Sequence, residues 1–408
     1  MFFRKLIKQK NMKKSIDLFL LLLFVICSCS SGSSSEIVET EEPDNLGELA
    51  TLKTNEAEEI AAKQAVVWGV LQDNGGTSVF ERGVCYGTTA NPVYEGTKKI
   101  ASVTKGSGEF KAELANLEGG TLYYARAYVV NKKGVAYGNQ ISFKTKDAAS
   151  PLLVLGTIKV AGAHDLFFDV ELKEQGDLII QEIGLVYNTV KEPTVANNKI
   201  ARSTVESKFK QRISSLTPET LYYVRPYAAT PSKVLYGEEF VISTIKKGNF
   251  TYSFNQNGAD AATVTRIKAA FDLATTYYNN FTSIVKHVTV NYSPGTPTAD
   301  ANFSGWINMG ANSSYQKAGT AMHEMAHAVG VGQHSKYTEL MKTTWQGKRA
   351  NEILQMMTNN PAAVVKGDGM HFWPYGVNGA HEDDGSDFLY MMNALILQGM
   401  KTDGLPSN

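Results

Sequence analysis

Two histidines with a glutamate between them form the pattern in this sequence that is best suited to chemistry. His323 and His327 stand four positions apart, and Glu324 directly follows the first of them. On a helix this spacing stacks both imidazoles on one face, where they can share a single Zn²⁺. The adjacent carboxylate can then take a proton from a water molecule that attacks a carbonyl carbon. The pattern predicts metal-assisted hydrolysis, with a buried helix carrying two hydrogen-bonded histidines as the alternative.

The residues around this pattern favour a helix that stops soon after the second histidine. Small apolar residues and methionines flank both histidines, and Gly330 supplies a natural end. We predict this helix over residues 312–329. Upstream, alternating and helical spacings predict strands at 249–254, 285–292 and 303–310, and a helix at 259–281 with Asp260 as its N-cap.

This order of elements resembles the N-terminal part of metzincin peptidases, in which strands and a helix precede the zinc-binding helix. The metzincin pattern is HExxHxxGxxH, and this chain matches it at four positions, His323, Glu324, His327 and Gly330. Gln333 stands where the third histidine belongs, and His334 follows one residue late. The resemblance implies an α+β zincin-like domain over residues 248–408, with Zn²⁺ as its cofactor and a third ligand still to be identified.

His371 is the main alternative to His334 as the third ligand. It begins the segment HFWPYG, whose aromatic residues can anchor it in a core. This segment, together with the GW strand and the HExxHxxGVG helix, is similar to a group of bacterial secreted metallopeptidases in which the residue matching His334 need not be histidine. Three acidic or imidazole side chains nearby remain further candidates, His381, Glu382 and Asp383. Glu382 would give a site with two histidines and one glutamate.

The metzincin resemblance also implies a substrate-binding strand and a methionine near the metal. In that family a sheet edge beside the zinc pairs with the extended substrate, a role that it assigns here to residues 304–309. A methionine turn lies beneath the zinc, and Met370, Met391 or Met392 could fill that place. Ordinary core packing is the alternative for these methionines. The last two fall in residues 385–399, an apolar stretch that we expect to be a helix.

Between the N-terminus and this domain the chain contains two copies of one unit. The segment that begins at Leu117 matches the segment that begins at Leu216, at a constant offset of 99 residues. Short alternating stretches separated by turn residues predict antiparallel sandwiches of about 100 residues. The Leu-x-x-x-Thr-x-Tyr pattern that ends at Tyr123, and again at Tyr222, resembles the tyrosine corner of fibronectin type III modules. It implies two all-β fibronectin type III-like domains, residues 49–146 and residues 151–245, which we expect to be spacers.

The first 28 residues have the features of a lipoprotein signal peptide. Basic residues precede an apolar stretch at 18–26, which is too short to span a bilayer. Cys29 resembles the lipidated cysteine of a bacterial lipobox and fits that pattern better than Cys27, with a simple secretory signal as the alternative. Residues 29–48 are rich in serine and then acidic, which predicts a disordered tether. Their resemblance to the export signal of Bacteroidetes lipoproteins implies an outer-membrane, cell-surface location in a Gram-negative bacterium.

Composition sets limits on the remaining possibilities. Six of the 40 basic residues and one of the 40 acidic residues lie within the first 28, which leaves the rest of the chain with a formal charge of −5. No basic field exists to attract nucleic acid, so that class of partner is excluded. Cys85 is the one cysteine after Cys29, and Cys29 is the predicted lipid attachment site, so the mature chain is not expected to form an intramolecular disulfide.

Together these patterns predict a multidomain chain, with two all-β fibronectin type III-like sandwiches followed by an α+β zincin-like domain. The predicted activity is hydrolysis of a protein or glycoprotein substrate at a lipid-anchored zinc site, with Glu324 as general base. The predicted Zn²⁺ ligands are His323 and His327, completed by His371 or His334. A surface binding protein or adhesin with a degenerate zincin scaffold is the alternative from a different class. The intact Glu324 favours the enzyme.

Overall fold

The computed structural model describes residues 47–102 and 108–407, and the residues from Glu48 onward belong to one contact unit. The predicted signal peptide, Cys29 and nearly all of the predicted tether lie outside these residues. Within the two described ranges, no helix has the length and apolar character needed to cross a membrane.

The first repeat is a sandwich of two antiparallel sheets. Its strands are β1 (Thr51–Glu58), β2 (Gln64–Asp73), β3 (Glu81–Gly87), β4 (Lys98–Ile100), β5 (Gly108–Ala115), β6 (Leu122–Asn131), β7 (Gly134–Tyr137) and β8 (Ile141–Lys144). One sheet has the order β1-β2-β5 and the other β4-β3-β6-β7, with β8 also paired to β6. Cys85 is a free, buried thiol on β3.

The second repeat has the same topology. Its strands are β9 (Leu152–Ala161), β10 (Leu166–Glu174), β11 (Glu182–Asn188), β12 (Asn198–Arg202), β13 (Lys208–Ile213), β14 (Leu221–Ala229), β15 (Val234–Tyr236) and β16 (Phe240–Ser243). The sheets have the orders β9-β10-β13 and β12-β11-β14-β15, with β16 also paired to β14. The internal repeat in the sequence therefore corresponds to two sandwiches with equivalent strand pairing.

A tyrosine hydroxyl fastens the same corner in both sandwiches. The backbone N–H of Glu118 donates to the hydroxyl of Tyr123 at 2.9 Å, and the N–H of Thr217 donates to the hydroxyl of Tyr222 at 3.1 Å. Each tyrosine thus bonds the backbone five residues upstream, which is the arrangement that the sequence pattern predicts.

The C-terminal domain combines a four-stranded sheet with helices. Its elements are β17 (Asn249–Asn255), α1 (Ala261–Phe281), β18 (Val285–Tyr292), β19 (Ala299–Ala301), β20 (Trp306–Met309), α2 (Ala318–Ala328), α3 (Ser335–Leu340), α4 (Lys348–Thr358), β21 (Lys366–Gly367), β22 (Phe372–Trp373) and α5 (Asp387–Thr402). The sheet order is β17-β18-β20-β19. The first three strands are parallel, and β19 runs antiparallel to β20 at the edge.

The structure confirms the predicted N-cap of α1 but differs from two other predictions for this domain. Asp260 does cap α1, since its carboxylate accepts the N–H of Thr263 at 2.6 Å. The helix α2 begins six residues later than predicted, because Lys317 has extended backbone and a separate 3₁₀ turn occupies Ser313–Tyr315. The strand assigned to substrate pairing, residues 304–309, is also wrong for that role. Most of that segment is β20, which is hydrogen-bonded to β18 on one side and to β19 on the other. The edge strand on this side of the sheet is therefore β19.

The second sandwich shares a hydrophobic core with the C-terminal domain. Val160 and Phe167, both almost fully buried, belong to the same core cluster as the residues of α1, α2 and α5. Hydrogen bonds cross the same junction: the N–H of Ala163 donates to the carbonyl of Asn280 at 2.7 Å, and the guanidinium of Arg349 donates to a carbonyl of β9 at 2.6 Å. A role as a detached spacer, predicted for both repeats, therefore does not describe the second one.

Candidate metal centre

The helix α2 presents its two histidines with their ring protons already engaged. Nδ1 of His323 lies 3.1 Å from the carbonyl oxygen of Gly376, and Nδ1 of His327 lies 2.8 Å from that of Val331. A carbonyl oxygen can only accept a hydrogen bond, so each Nδ1 carries the proton of its ring. Each Nε2 is then an unprotonated nitrogen whose lone pair is free to bind a metal.

These two free nitrogens face each other. Nε2 of His323 lies 3.1 Å from Nε2 of His327, and burial lowers the pKa of both rings, that of His323 to about 4. Two lone pairs at this distance repel unless a cation lies between them, and the lowered pKa values disfavour a proton in that place. Two nitrogens bound to one tetrahedral Zn²⁺ at about 2.0–2.1 Å would be roughly 3.3 Å apart. The pair therefore fits a shared zinc ion closely.

His371 completes a group of three imidazoles. The ligand atoms of His323, His327 and His371 all lie within 4.8 Å of one another. The ring of His371 stacks on that of His323, with centroids 5.3 Å apart and planes at 26°. Its Nδ1 lies 3.7 Å from a carboxylate oxygen of Asp368, which also accepts the backbone N–H of His371 at 2.6 Å. A carboxylate beside the outer nitrogen is the environment that orients a metal-binding imidazole.

The structure does not bring His334 to this group. His334 is the N-cap of α3, where its Nδ1 accepts the backbone N–H of Lys336 at 3.0 Å. The other face of its ring packs edge-on against Phe303, with centroids 5.2 Å apart. The extra residue relative to the metzincin spacing thus places this imidazole at the start of the next helix.

The three remaining ligand candidates also lie outside the cluster of three histidines. His381 is exposed, and Glu382 accepts the backbone N–H of Asn378 at 3.0 Å within its own loop. Asp383 accepts the backbone N–H of Gly319 at 2.9 Å, in the first turn of α2. A carboxylate in that position stabilises the helix N-terminus. The loop that carries His371 is therefore also fastened to the helix that carries the histidine pair.

Glu324 lies in the same cleft, with its carboxylate largely shielded from water. The residue is 5% exposed, and within the described part of the chain its Oε2 is buried without a hydrogen-bond partner. Burial, followed by the nearby carboxylate of Asp300, raises the pKa of Glu324 to about 8. A group that exchanges protons near neutral pH is suited to general base and general acid catalysis.

A cleft of about 330 Å³ opens above these residues. The edge strand β19 and residues 377–380 both line it. Tyr315, Thr320 and Gln333 complete much of the lining, and among the residues that the structure describes the lining contains no lysine or arginine. An exposed strand edge beside the three imidazoles offers backbone groups to an extended peptide.

The methionines considered at the sequence level divide between the cleft and the core. Met370 lines the cleft and is 42% exposed. Met391 and Met392 are buried in α5 as part of the main core cluster, so packing is the role that the structure gives them.

The residues present fit a zinc ion. Three imidazoles are a donor set that Zn²⁺ prefers, and three protein ligands leave one position open for chemistry. The sequence identified all three imidazoles but not the residues around them. These are Gly376, whose carbonyl lies beside Nδ1 of His323, Asp300, whose charge raises the pKa of Glu324, and Asp368, whose carboxylate lies near Nδ1 of His371. Their residue types carry no signal of these roles, because only the folded chain brings them to the site.

Comparisons with known proteins bear on the fibronectin type III-like part of the chain. No family model and no curated protein matches the sequence. Among solved structures, a segment of two fibronectin type III domains from chicken tenascin is similar at 15% identity, covering 47% of this chain and 99% of that one, with a TM-score of 0.25. The FN1–FN3 domains of chicken CNTN1 are similar at 14% identity, covering 47% of this chain and 66% of that one, with a TM-score of 0.21.

A third solved structure is similar over 24% of this chain. It is the sensor domain of the anti-sigma factor RsgI4 in Pseudobacteroides cellulosolvens, at 24% identity, covering 24% of this chain and 95% of that one, with a TM-score of 0.20. The tenascin and CNTN1 structures consist of fibronectin type III domains. At such scores the assignment of the sandwiches rests on the strand pairing described above.

Proposed function

We propose that the C-terminal domain is a zincin-like, zinc-dependent peptidase. The observation that carries this proposal is the convergence of His323, His327 and His371 in one cleft, with Glu324 beside them, whose buried Oε2 has no hydrogen-bond partner among the residues that the structure describes. Three imidazoles without a carboxylate would suit a structural site equally well. The buried carboxylate in an open cleft favours hydrolysis.

In this proposal each side chain has a distinct part. The three histidines would hold Zn²⁺, which supplies Lewis-acid activation of a carbonyl and of a water molecule when it is bound. Glu324 takes a proton from the attacking water on its buried Oε2 and later gives it to the leaving amine. Its pKa of about 8 lets it hold and release a proton near neutral pH. The backbone of β19 holds the substrate in an extended conformation by adding a strand to the sheet.

The substrate class follows from the same arrangement. A strand edge recognises polypeptide backbone and little else, so a protein or the peptide part of a glycoprotein is the substrate that we propose. The lipid anchor at Cys29, with the enzyme held at the outer-membrane surface of a Gram-negative bacterium, belongs to the proposal as well. It is supported by the basic, apolar and lipobox-like order of the N-terminal sequence.

The proposal is tested by metal analysis of the purified full chain and of single variants. Wild type should bind one Zn²⁺, while His327→Ala and His371→Ala should lose it. His334→Ala is the matched control, since it removes a neighbouring imidazole that lies outside the group. Loss of zinc in His334→Ala, together with full zinc in His371→Ala, would overturn the ligand assignment.

Activity is tested with Glu324→Gln, which keeps the size and polarity of the side chain but removes the proton acceptor. This variant should hold stoichiometric zinc and lose at least ~10²-fold in the rate of cleavage of a casein-like or mucin-like substrate. Wild-type activity in this variant would refute the mechanism. A wild type that binds zinc and cleaves nothing across a broad peptide library would favour the binding protein instead.

A further inference from the structure

The carbonyl that orients His323 comes from a turn in an unfavourable backbone conformation. Gly376 supplies this carbonyl, and the residues on either side of it both have positive φ, 69° at Tyr375 and 53° at Val377. Neither is a glycine, and a β-branched residue is especially disfavoured in this left-handed region. Such a turn persists only where its surroundings hold it in place.

One buried side chain is bonded to this turn. Asn393 on α5 is fully buried, and its Nδ2 donates to the carbonyl of Tyr375 at 2.8 Å. Its Oδ1 lies 3.4 Å from the hydroxyl of Tyr278, which donates to the carbonyl of Met322 at 2.8 Å. A buried amide is costly unless its partners are in place, so these contacts fix its position. Asn393 therefore links the turn to α1 and, through Tyr278, to the residue next to His323.

The turn also sits directly on the helix that carries the histidine pair. A Cβ added at Gly319 would come within 2.7 Å of a methyl carbon of Val377 and 2.5 Å of a carboxylate oxygen of Asp383. Only a glycine allows this approach, and it occurs four residues, about one helical turn, before His323. The turn is therefore held on both sides of Gly376, by the hydrogen bond of Asn393 to Tyr375 and by the packing of Val377 against Gly319.

We propose that Asn393 is a positioning residue for the metal centre, acting through Tyr375 and Gly376 on His323. By fixing the Tyr375 carbonyl, Asn393 holds the turn in the conformation from which the Gly376 carbonyl accepts Nδ1–H of His323. This selects the tautomer that leaves Nε2 free for the metal. This inference rests on the proposed function, because that proposal supplies the metal. The contacts from Asn393 to His323 are present in the structure without a metal.

The test uses the purified full chain and compares two variants at the site with one control. Asn393→Ala removes the side chain, and Asn393→Leu keeps a branched side chain but has no donor. Leu395→Ala is the control, because this buried residue lies two positions along α5, on the opposite side of the helix from Asn393. Zinc affinity is measured by competition with a chromophoric chelator, and thermal stability by circular dichroism.

Both Asn393 variants should bind zinc about 10- to 100-fold more weakly than wild type, the usual effect of losing a group that orients a ligand. Leu395→Ala should lower the melting temperature and keep zinc affinity within about threefold. In Co²⁺-loaded protein the visible absorption band should change in the Asn393 variants alone. Wild-type affinity in both Asn393 variants would overturn the inference. So would a loss of affinity in Leu395→Ala equal to theirs, since the effect would then be one of stability. If Asn393→Ala does not fold, Asn393→Leu decides the outcome.

A readout without metal separates this inference from the proposed function. In zinc-free wild type, the ¹⁵N shifts of the His323 ring should show a single tautomer with the proton on Nδ1. In Asn393→Leu they should show a mixture of the two tautomers. An unchanged single tautomer would refute the positioning role even if the protein binds zinc. A wild type that binds no zinc would refute the proposed function, while the tautomer measurement would still decide the role of Asn393.

Discussion

Replacing Glu324 by glutamine should change the pH dependence of stability, so that the zinc-free variant becomes more stable relative to wild type as the pH rises. The pKa of Glu324 is raised from 4.5 to about 8, mainly by burial and further by Asp300. Between these values the folded state binds more protons than the unfolded state, so wild type loses stability as the pH rises. The favourable effect of the raised pKa is complete below pH 4.5 and is lost as the pH rises through about 8.

The expected size of the effect follows from the same pKa. A rise from 4.5 to about 8 corresponds to on the order of 5 kcal/mol of unfolding free energy, at 1.36 kcal/mol per tenfold change in proton affinity. Glu324 is 5% exposed, so water screens it little. Glutamine does not ionise, and whatever its buried amide costs is the same at every pH. The difference between variant and wild type should therefore increase by several kcal/mol between pH 5 and pH 9.

The assay is urea unfolding of the full chain in the presence of a chelator, followed by tryptophan fluorescence. Three of the four tryptophans, Trp306, Trp345 and Trp373, lie in the C-terminal domain, so the signal reports mainly on that domain. Glu339→Gln, at an exposed position on α3, is the control and should show no such trend. A difference between Glu324→Gln and wild type that stays within about 0.5 kcal/mol from pH 5 to pH 9 would refute the reasoning.

Three further predictions concern the ligand sphere, the sandwiches and the anchor. Asp368→Asn should weaken zinc binding about 10-fold in a chelator competition, because the carboxylate no longer supports the outer nitrogen of His371; unchanged affinity would count against that role. Deleting residues 49–146 should leave peptide cleavage unchanged, whereas deleting 49–245 should lower the melting temperature of the C-terminal domain by several degrees, because shared core is exposed; equal melting temperatures would show that the shared core contributes little. Cys29→Ala should move the protein from the membrane fraction to the soluble fraction, and a protein that stays with the membrane would contradict the anchor.

Sequence reasoning was most successful where local pattern determines structure. Asp260 and the apolar spacing that follows it defined α1, because an N-cap and one apolar face are properties of a single segment. The repeat at an offset of 99 residues led directly to two sandwiches with equivalent pairing, including the corner bonds of Tyr123 and Tyr222.

It was least successful where distant segments meet. The helices α3 and α4 were not predicted, and the substrate-pairing strand was placed on β20 because a three-residue edge strand at Ala299–Ala301 carries too few residues for a periodic signal. The choice between His334 and His371 stayed open for the same reason. The answer depends on how the chain folds back to α2 after α3 and α4. Neither the segment around His334 nor the segment around His371 determines that path alone. Asn393 is one polar residue in an apolar helix, and nothing in the neighbouring sequence links it to a turn near position 375.

His371 follows α3 and α4 in the chain, so a metal ion bound to it would connect two distant parts of the sequence. An ion held by all three imidazoles would join positions 327 and 371 and close the chain between them into a ring that contains both helices. In a chain-entropy model, a cross-link of that span removes roughly 4 kcal/mol of conformational freedom from the unfolded chain. The ion would act as a reversible staple, and a chelator would open the ring without breaking a covalent bond. An added protease should then cut residues 328–370 more readily than it does in the metal-bound protein.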